Sequence, residues 1–164
     1  MKAVSAALGS LAFFIAEPVI VAGGIPYVLT GWRPFGPGRV PGGLVLAIGV
    51  AGLITCVVRF VVEGRGTPAP IAPTENLVVS GLYRYVRNPM YLSVVTVIAG
   101  QAWLFASVVL LAYAGLVWLT FMVFVRMYEE PTLRRQFGAA YERYRSHVPR
   151  WIPRMTPWTG DRRG

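Results

Sequence analysis

The chain has 164 residues, of which 55% are hydrophobic and only 14% charged, with a mean hydropathy of +0.53 and a formal net charge of +9. Soluble domains carry about 25% charged residues, so the deficit points to lipid as the solvent; a single Cys56 and a lone His147 leave no disulfide framework and no cysteine- or histidine-rich metal site. The positive charge invites nucleic acid, but the arginines gather at the ends of apolar runs and in the C-terminal tail, as membrane topology and anionic lipid require, and no nucleic-acid-binding motif accompanies them.

The first apolar run covers Ala3 to Leu29. It is too long for a signal peptide and has no clear small-residue cleavage site, so it predicts an uncleaved first crossing. Thr30 to Gly43, rich in Gly and Pro and carrying Trp32 and Arg33, reads as an interfacial loop, and Leu44 to Val62 is long enough to cross again. Glu63 to Pro73 is a Pro-rich connector that cannot be regular helix. From Met90 to Val125 there are 36 residues without a charged side chain. As one helix they would span about 54 Å against a bilayer core of roughly 30 Å. They therefore predict two crossings in a hairpin that turns near Gln101 to Ser107.

Four crossings place both termini on one side. Lys2, Arg59, Arg65, Arg84, Arg87 and the basic tail then share one face and oppose Arg33 and Arg39, which makes the richer face cytoplasmic. In the tail, Leu133, Phe137, Ala140, Tyr141, Tyr144 and Val148 recur at spacings of three and four, forming one apolar helical stripe that Pro149 and Pro153 bring to an end. Such a helix lies in the headgroup region or folds over the hairpin mouth as a lid, and the two are compatible. The expected fold is an all-α polytopic membrane protein with about four transmembrane helices, a tight hairpin and a C-terminal amphipathic helix. Residues 1–164 form one domain, with 1–62 supplying the first two crossings and 66–153 the functional core.

The hairpin brings two polar clusters to one membrane face. Before it stands Gly81-Leu82-Tyr83-Arg84-Tyr85-Val86-Arg87-Asn88-Pro89-Met90-Tyr91; after it stands Arg126-Met127-Tyr128-Glu129-Glu130. Two adjacent carboxylates at a membrane boundary need cationic compensation, from Arg84, Arg87, Arg126 or the amino group of a ligand. The bland alternative is an interfacial salt-bridge cluster. Arg84 and Arg87, three apart, would share a helical face and suit a carboxylate or phosphate, or else serve only topology. Pro89 suits a first helical turn, so Asn88 is a candidate cap for the third crossing. Glu17, next to Pro18, is an intramembrane acid, either functional or a paired structural group. Gln101 is interhelical glue or a pocket hydrogen bonder, and the tyrosines read most simply as an interfacial belt. No glycine-rich nucleotide motif, P-loop, zinc spacing or Ser/His/Asp set is present.

Leu77 to Tyr91, then Gly100-Gln101, then Glu129-Glu130 with Leu133, Phe137-Gly138, Tyr141, Tyr144 and Val148-Pro149 together resemble the isoprenylcysteine carboxyl methyltransferase and phospholipid methyltransferase superfamily of integral membrane enzymes, over roughly residues 66 to 153. The resemblance implies S-adenosylmethionine as methyl donor, S-adenosylhomocysteine as product, and a lipophilic acceptor entering from the bilayer. By position, Arg87, Asn88, Pro89, Glu129 and Glu130 would hold the cofactor's amino-acid end. Leu77, Val78 and the Tyr83 region would border the adenine, and Gln101 matches a pocket glutamine. Arg84, Tyr85 and Tyr91 complete the expected cofactor-binding set, with Arg87 and Glu130 as the expected catalytic pair.

Prenylcysteine enzymes usually carry His where this chain has Asn88, and often another His where it has Glu75, so the acceptor is either a prenylcysteine-like carboxylate or a lipid headgroup. The expected location is a bacterial inner membrane, with the site on the cytoplasmic side and no partner among nucleic acids or metals. The alternative is a non-catalytic scaffold or lipid-binding protein that keeps the fold. Half of a small transporter is a weaker one, since no repeat is recognisable.

Overall fold

The computed structural model describes residues 16–31, 37, 39–63 and 76–160. The beginning of the first apolar run, most of the interfacial loop with Trp32 and Arg33, and the connector from Gly64 through Glu75 lie outside the described residues. The described residues are helical, without strands, and form an all-α membrane protein. Helix α1 runs Ala16–Thr30, α2 Arg39–Glu63, α3 Pro89–Leu104 and α4 Val108–Phe124, and a π-helical turn, Val125–Glu129, leads without a break into α5, Glu130–His147. Both α2 and the helix that begins at Val108 are long and apolar enough to cross a bilayer, whereas α1 and α3 are shorter. Large apolar side chains such as Ile48 (68% exposed) and Val108 (79% exposed) point outward, an arrangement that suits a lipid solvent.

The hairpin turns at Phe105 to Ser107, inside the expected window. Ala106 takes a left-handed backbone there, φ 50°, and the Ser107 hydroxyl caps α4 by accepting from the Leu110 N–H at 3.2 Å. Among the described residues, helices α2 and α3 pack against each other most extensively. A Cβ built on Gly49 would sit 2.7 Å from the Val97 backbone nitrogen, and one on Gly100 would sit 2.5 Å from that of Leu46. The missing side chains let the two backbones approach, the usual basis of close helix packing where lipid removes the hydrophobic driving force.

Helix α1 is stitched to the hairpin by carbonyls that its own turns leave unsatisfied. Ile25 donates to Ile20 in the π-helical register rather than to Val21, and Pro26 has no N–H to offer Ala22. The Tyr113 hydroxyl of α4 donates to the Val21 carbonyl at 2.9 Å, and the Gln101 amide of α3 to the Ala22 carbonyl at 2.5 Å. Without water, side chains from neighbouring helices must serve these groups. The packed interior beneath comprises Val94, Val97, Ile98, Ala114, Val117 and Phe121.

At the other end, Glu63 lies three residues beyond the apolar span that ends at Phe60. It accepts from Arg59 at 2.7 Å and from the Ser80 hydroxyl, tying α2 to the start of the 3-10 turn Gly81–Arg84. Partial desolvation opposes ionisation, but these hydrogen bonds and the Arg59 charge outweigh it and hold the carboxyl below its ordinary 4.5. A depressed folded pKa stabilises the fold above pH 4.5 and loses that contribution as pH falls below it. The wild type is therefore expected to lose slightly more thermal stability than Glu63→Gln between pH 6 and pH 3.5, by about 1 kcal/mol at most for so accessible a pair. Identical pH profiles for the two proteins would remove this role.

Candidate active site

The hairpin brings the two polar clusters to one end of the bundle. Tyr91, in the first turn of α3, donates its hydroxyl to Glu129 Oε2 at 2.7 Å, and Arg87 donates to Glu130 Oε1 at 2.6 Å. The turn between α4 and α5 explains how neighbouring glutamates serve different partners in one corner. Glu130 donates its N–H back to the Val125 carbonyl, five positions earlier, so the helix is locally unwound by one residue where the carboxylates lie. Such insertions often mark functional sites.

Glu130 is the hub. Arg150 reaches it with two nearly parallel bonds, Nε to Oε1 at 2.8 Å and NH2 to Oε2 at 2.7 Å, while Arg87 approaches from the other side. The Arg87 and Glu130 side chains are 10% and 8% exposed, and Arg87 also donates to the Tyr141 hydroxyl at 3.2 Å. One donor is left over. The buried Nε of Arg87 has no hydrogen-bond partner among the described residues. Glu129 differs from its neighbour, because among the described residues its partner is the Tyr91 hydroxyl and no cation lies within salt-bridge distance.

A strap formed by the residues after α5 completes the corner. The Arg87 N–H donates to the Pro149 carbonyl at 2.9 Å, the Arg154 N–H to Tyr85 at 3.0 Å, and the Trp158 N–H to Arg84 at 2.9 Å. Trp151 of the strap packs edge-on against Trp118 of α4, with ring centroids 4.6 Å apart. The apolar stripe of α5 turns inward beneath it. Tyr141, Tyr144 and Val148 are buried with Leu133, Phe137, Leu77, Val79 and Trp158, and the Tyr144 hydroxyl donates to the Tyr83 carbonyl at 2.7 Å. Ala140 lies outside this contact and is exposed.

The expected site residues therefore divide. Arg87, Tyr91, Glu129 and Glu130 meet directly, with Pro89 opening α3 beside them. Asn88 is buried but does not cap α3; its amide donates instead to the Arg150 carbonyl at 3.1 Å and fastens the strap. Arg84 and Arg87 are not on one helical face, because the 3-10 turn ends at Arg84 and no helix spans the two, and the Arg84 Nε donates to the Trp158 carbonyl at 2.7 Å. Tyr85 contributes its carbonyl to the strap. Leu77 packs with Tyr141 and Tyr144, whereas Val78 and Tyr83 pack with Cys56 of α2. Gln101 is not brought to the cluster and serves the α1 carbonyl instead. Arg150 and Tyr141 complete the corner without having been singled out as site residues. Arg150 immediately follows the Val148-Pro149 pair, and its role depends on a chain reversal that no periodicity encodes.

These features define a helical membrane protein with a buried ionic corner where its apolar helices end. The family model of phospholipid methyltransferases matches residues 42–140, well over half of the chain, and the chain belongs to that membrane methyltransferase family. No curated protein and no solved structure matches it.

Proposed function

We propose that this protein is an integral membrane methyltransferase that uses S-adenosylmethionine and modifies a lipophilic acceptor drawn from the bilayer, with the ionic corner as its active site on the cytoplasmic face. The observation that carries this reading is a pair of complementary groups unmet among the described residues in one corner: a buried Arg87 N–H without an acceptor and a Glu129 carboxylate without a cation. A zwitterionic amino-acid end answers both, its carboxylate accepting from Arg87 and its ammonium facing Glu129. The donor, when bound, supplies an electrophilic methyl group on a sulfonium. Glu130 is saturated by two guanidinium groups, so its part is to hold Arg87 and Arg150 in place. Arg87 orients through the donor it has left, and Tyr91 fixes the rotamer of Glu129. An amine acceptor needs a base, and Glu129 is the carboxylate free to take that proton. A carboxylate acceptor needs none and is steered by arginine. The apolar surfaces of α2 and α4 give either acceptor a route through lipid, and exclusion of water strengthens each of these charge contacts.

Equilibrium binding of labelled S-adenosylhomocysteine to detergent-purified protein tests the reading. Glu129→Gln keeps an acceptor for Tyr91 but removes the negative charge, so it should weaken binding at least tenfold while the protein stays folded. Wild-type protein that is well folded and binds nothing would exclude the proposal. Binding without methyl transfer to any component of a membrane lipid extract would favour a non-catalytic scaffold.

A further inference from the structure

Outside the buried corner, a cleft of about 360 Å3 opens between the two halves of α5 and the strap, lined by Arg126, Glu130, Pro131, Arg134, Arg145 and Arg150. Arg126, Glu130 and Arg134 follow one another at intervals of four, along one face of the continuous helix. Gly138 breaks that helix with φ 48° and ψ −123°. Glu142, eight positions after Arg134, thereby pairs with it at 3.0 Å and holds Arg145 at 3.0 Å as well. The kink thus gathers arginines from both halves around one space. Counting Arg87 behind Glu130, four guanidinium groups share the carboxylates of Glu130 and Glu142, and a fifth, Arg126, has no acidic partner among the described residues. Like charges converging on a cleft are unfavourable unless an anion joins them.

We infer that this cleft is a binding site for a phosphate group. Planar guanidinium forks match phosphate oxygens in pairs, and Arg126, Arg134 and Arg145 are at the cleft wall with donors that Glu142 only partly engages. The volume has room for a tetrahedral anion with or without a body attached. Beside the cleft, the strap exposes Ile152 (79%) and Met155 (96%) next to Arg150 and Arg154, an apolar edge with basic flanks of the kind that sits among lipid headgroups. The same phosphate chemistry is offered by an anionic lipid headgroup and by free phosphate. The cleft shares Glu130 and Arg150 with the buried corner, but Arg126, Arg134 and Arg145 lie outside it, and the inference stands whether or not that corner transfers methyl groups.

Detergent-solubilised full-length protein is titrated with dihexanoyl phosphatidic acid, dihexanoylglycerol and inorganic phosphate, with thermal unfolding or intrinsic tryptophan fluorescence as readout. Phosphatidic acid should bind at least tenfold more tightly than dihexanoylglycerol. The double variant Arg126→Gln, Arg134→Gln should weaken it at least tenfold, whereas Arg126→Lys, Arg134→Lys should retain most of the binding. The Arg134 ion pair is exposed, so these variants should fold; should the glutamine pair fail to, Arg126→Glu alone serves. Inorganic phosphate binding as tightly as the lipid would assign the site to free phosphate, and tenfold weaker binding would assign it to headgroups; both support the inference. Equal binding of phosphatidic acid and dihexanoylglycerol, or wild-type affinity in the glutamine or glutamate variant, would overturn it. S-adenosylhomocysteine binding is measured on the same variants and should not change, which separates failure of this site from failure of the methyltransferase reading.

Discussion

Replacing Glu130 by alanine is expected to destabilise the protein by about 3–5 kcal/mol, the range for removing one partner of a buried ion pair. The reason lies in what stays behind. Arg87 is 10% exposed and cannot turn to water, so without Glu130 its charge is left against Tyr141 and apolar neighbours. Arg150, at 31% exposure, can reach solvent and suffers less. Arg150→Ala should accordingly cost less than Glu130→Ala. The double variant Arg87→Met, Glu130→Met removes both buried charges and should be less destabilised than Glu130→Ala, because replacing an ion pair by apolar groups of similar size is often neutral. Unfolding in detergent, followed by fluorescence or thermal inactivation, measures all three. A loss below about 1 kcal/mol in Glu130→Ala would show that the corner is not the anchor its geometry suggests. Glu129→Gln provides the contrast: little change in stability, since its partner is a neutral hydroxyl, but a large loss of cofactor binding if the proposed function holds.

Gly49→Leu and Gly100→Leu should each separate α2 from α3. Their Cβ positions fall 2.7 Å and 2.5 Å from backbone nitrogens of the facing helix, and a backbone cannot step aside as a side-chain tip can. Overpacking of this kind costs typically about 1–3 kcal/mol, and more where neither helix can shift. Here α3 is also bound to α1 through Gln101, which restricts its retreat. Gly115→Ala is the control: nothing lies within 4 Å of a Cβ there, and alanine is favoured over glycine within a helix by about 0.5–1 kcal/mol. Helix-pair disruption should appear as a lower unfolding temperature for the first two variants and an unchanged or higher one for the third. Comparable stability in all three would mean that the helices do not cross as closely as described.

Much of the architecture was legible because lipid imposes few solutions. A stretch of 36 residues without charge had to double back, and its polar ends had to meet. The Glu129-Glu130 pair and Arg87 could be read as one cluster before any coordinate was known, since adjacent anions at a membrane boundary demand compensation. The apolar stripe of α5 was equally readable from its spacing, Ala140 excepted. Glycines at 42 and 49, a heptad apart, offered a packing signal that goes unnoticed unless a partner helix is already in view.

Local pattern and solvent class thus determined the helices, the hairpin and the gathering of charges at one end, because hydrophobic length and electrostatic cost act over short stretches of chain. Tertiary structure alone decided which carboxylate is saturated by guanidinium groups and which accepts from a hydroxyl, that Gln101 serves a carbonyl orphaned by Pro26, and that Arg150 closes the corner. Those outcomes rest on a π-turn that unwinds the helix by one residue, a kink at Gly138 and a strap that reverses over the 3-10 turn. Each depends on contacts between residues far apart in the chain, whose energies no periodicity or composition contains.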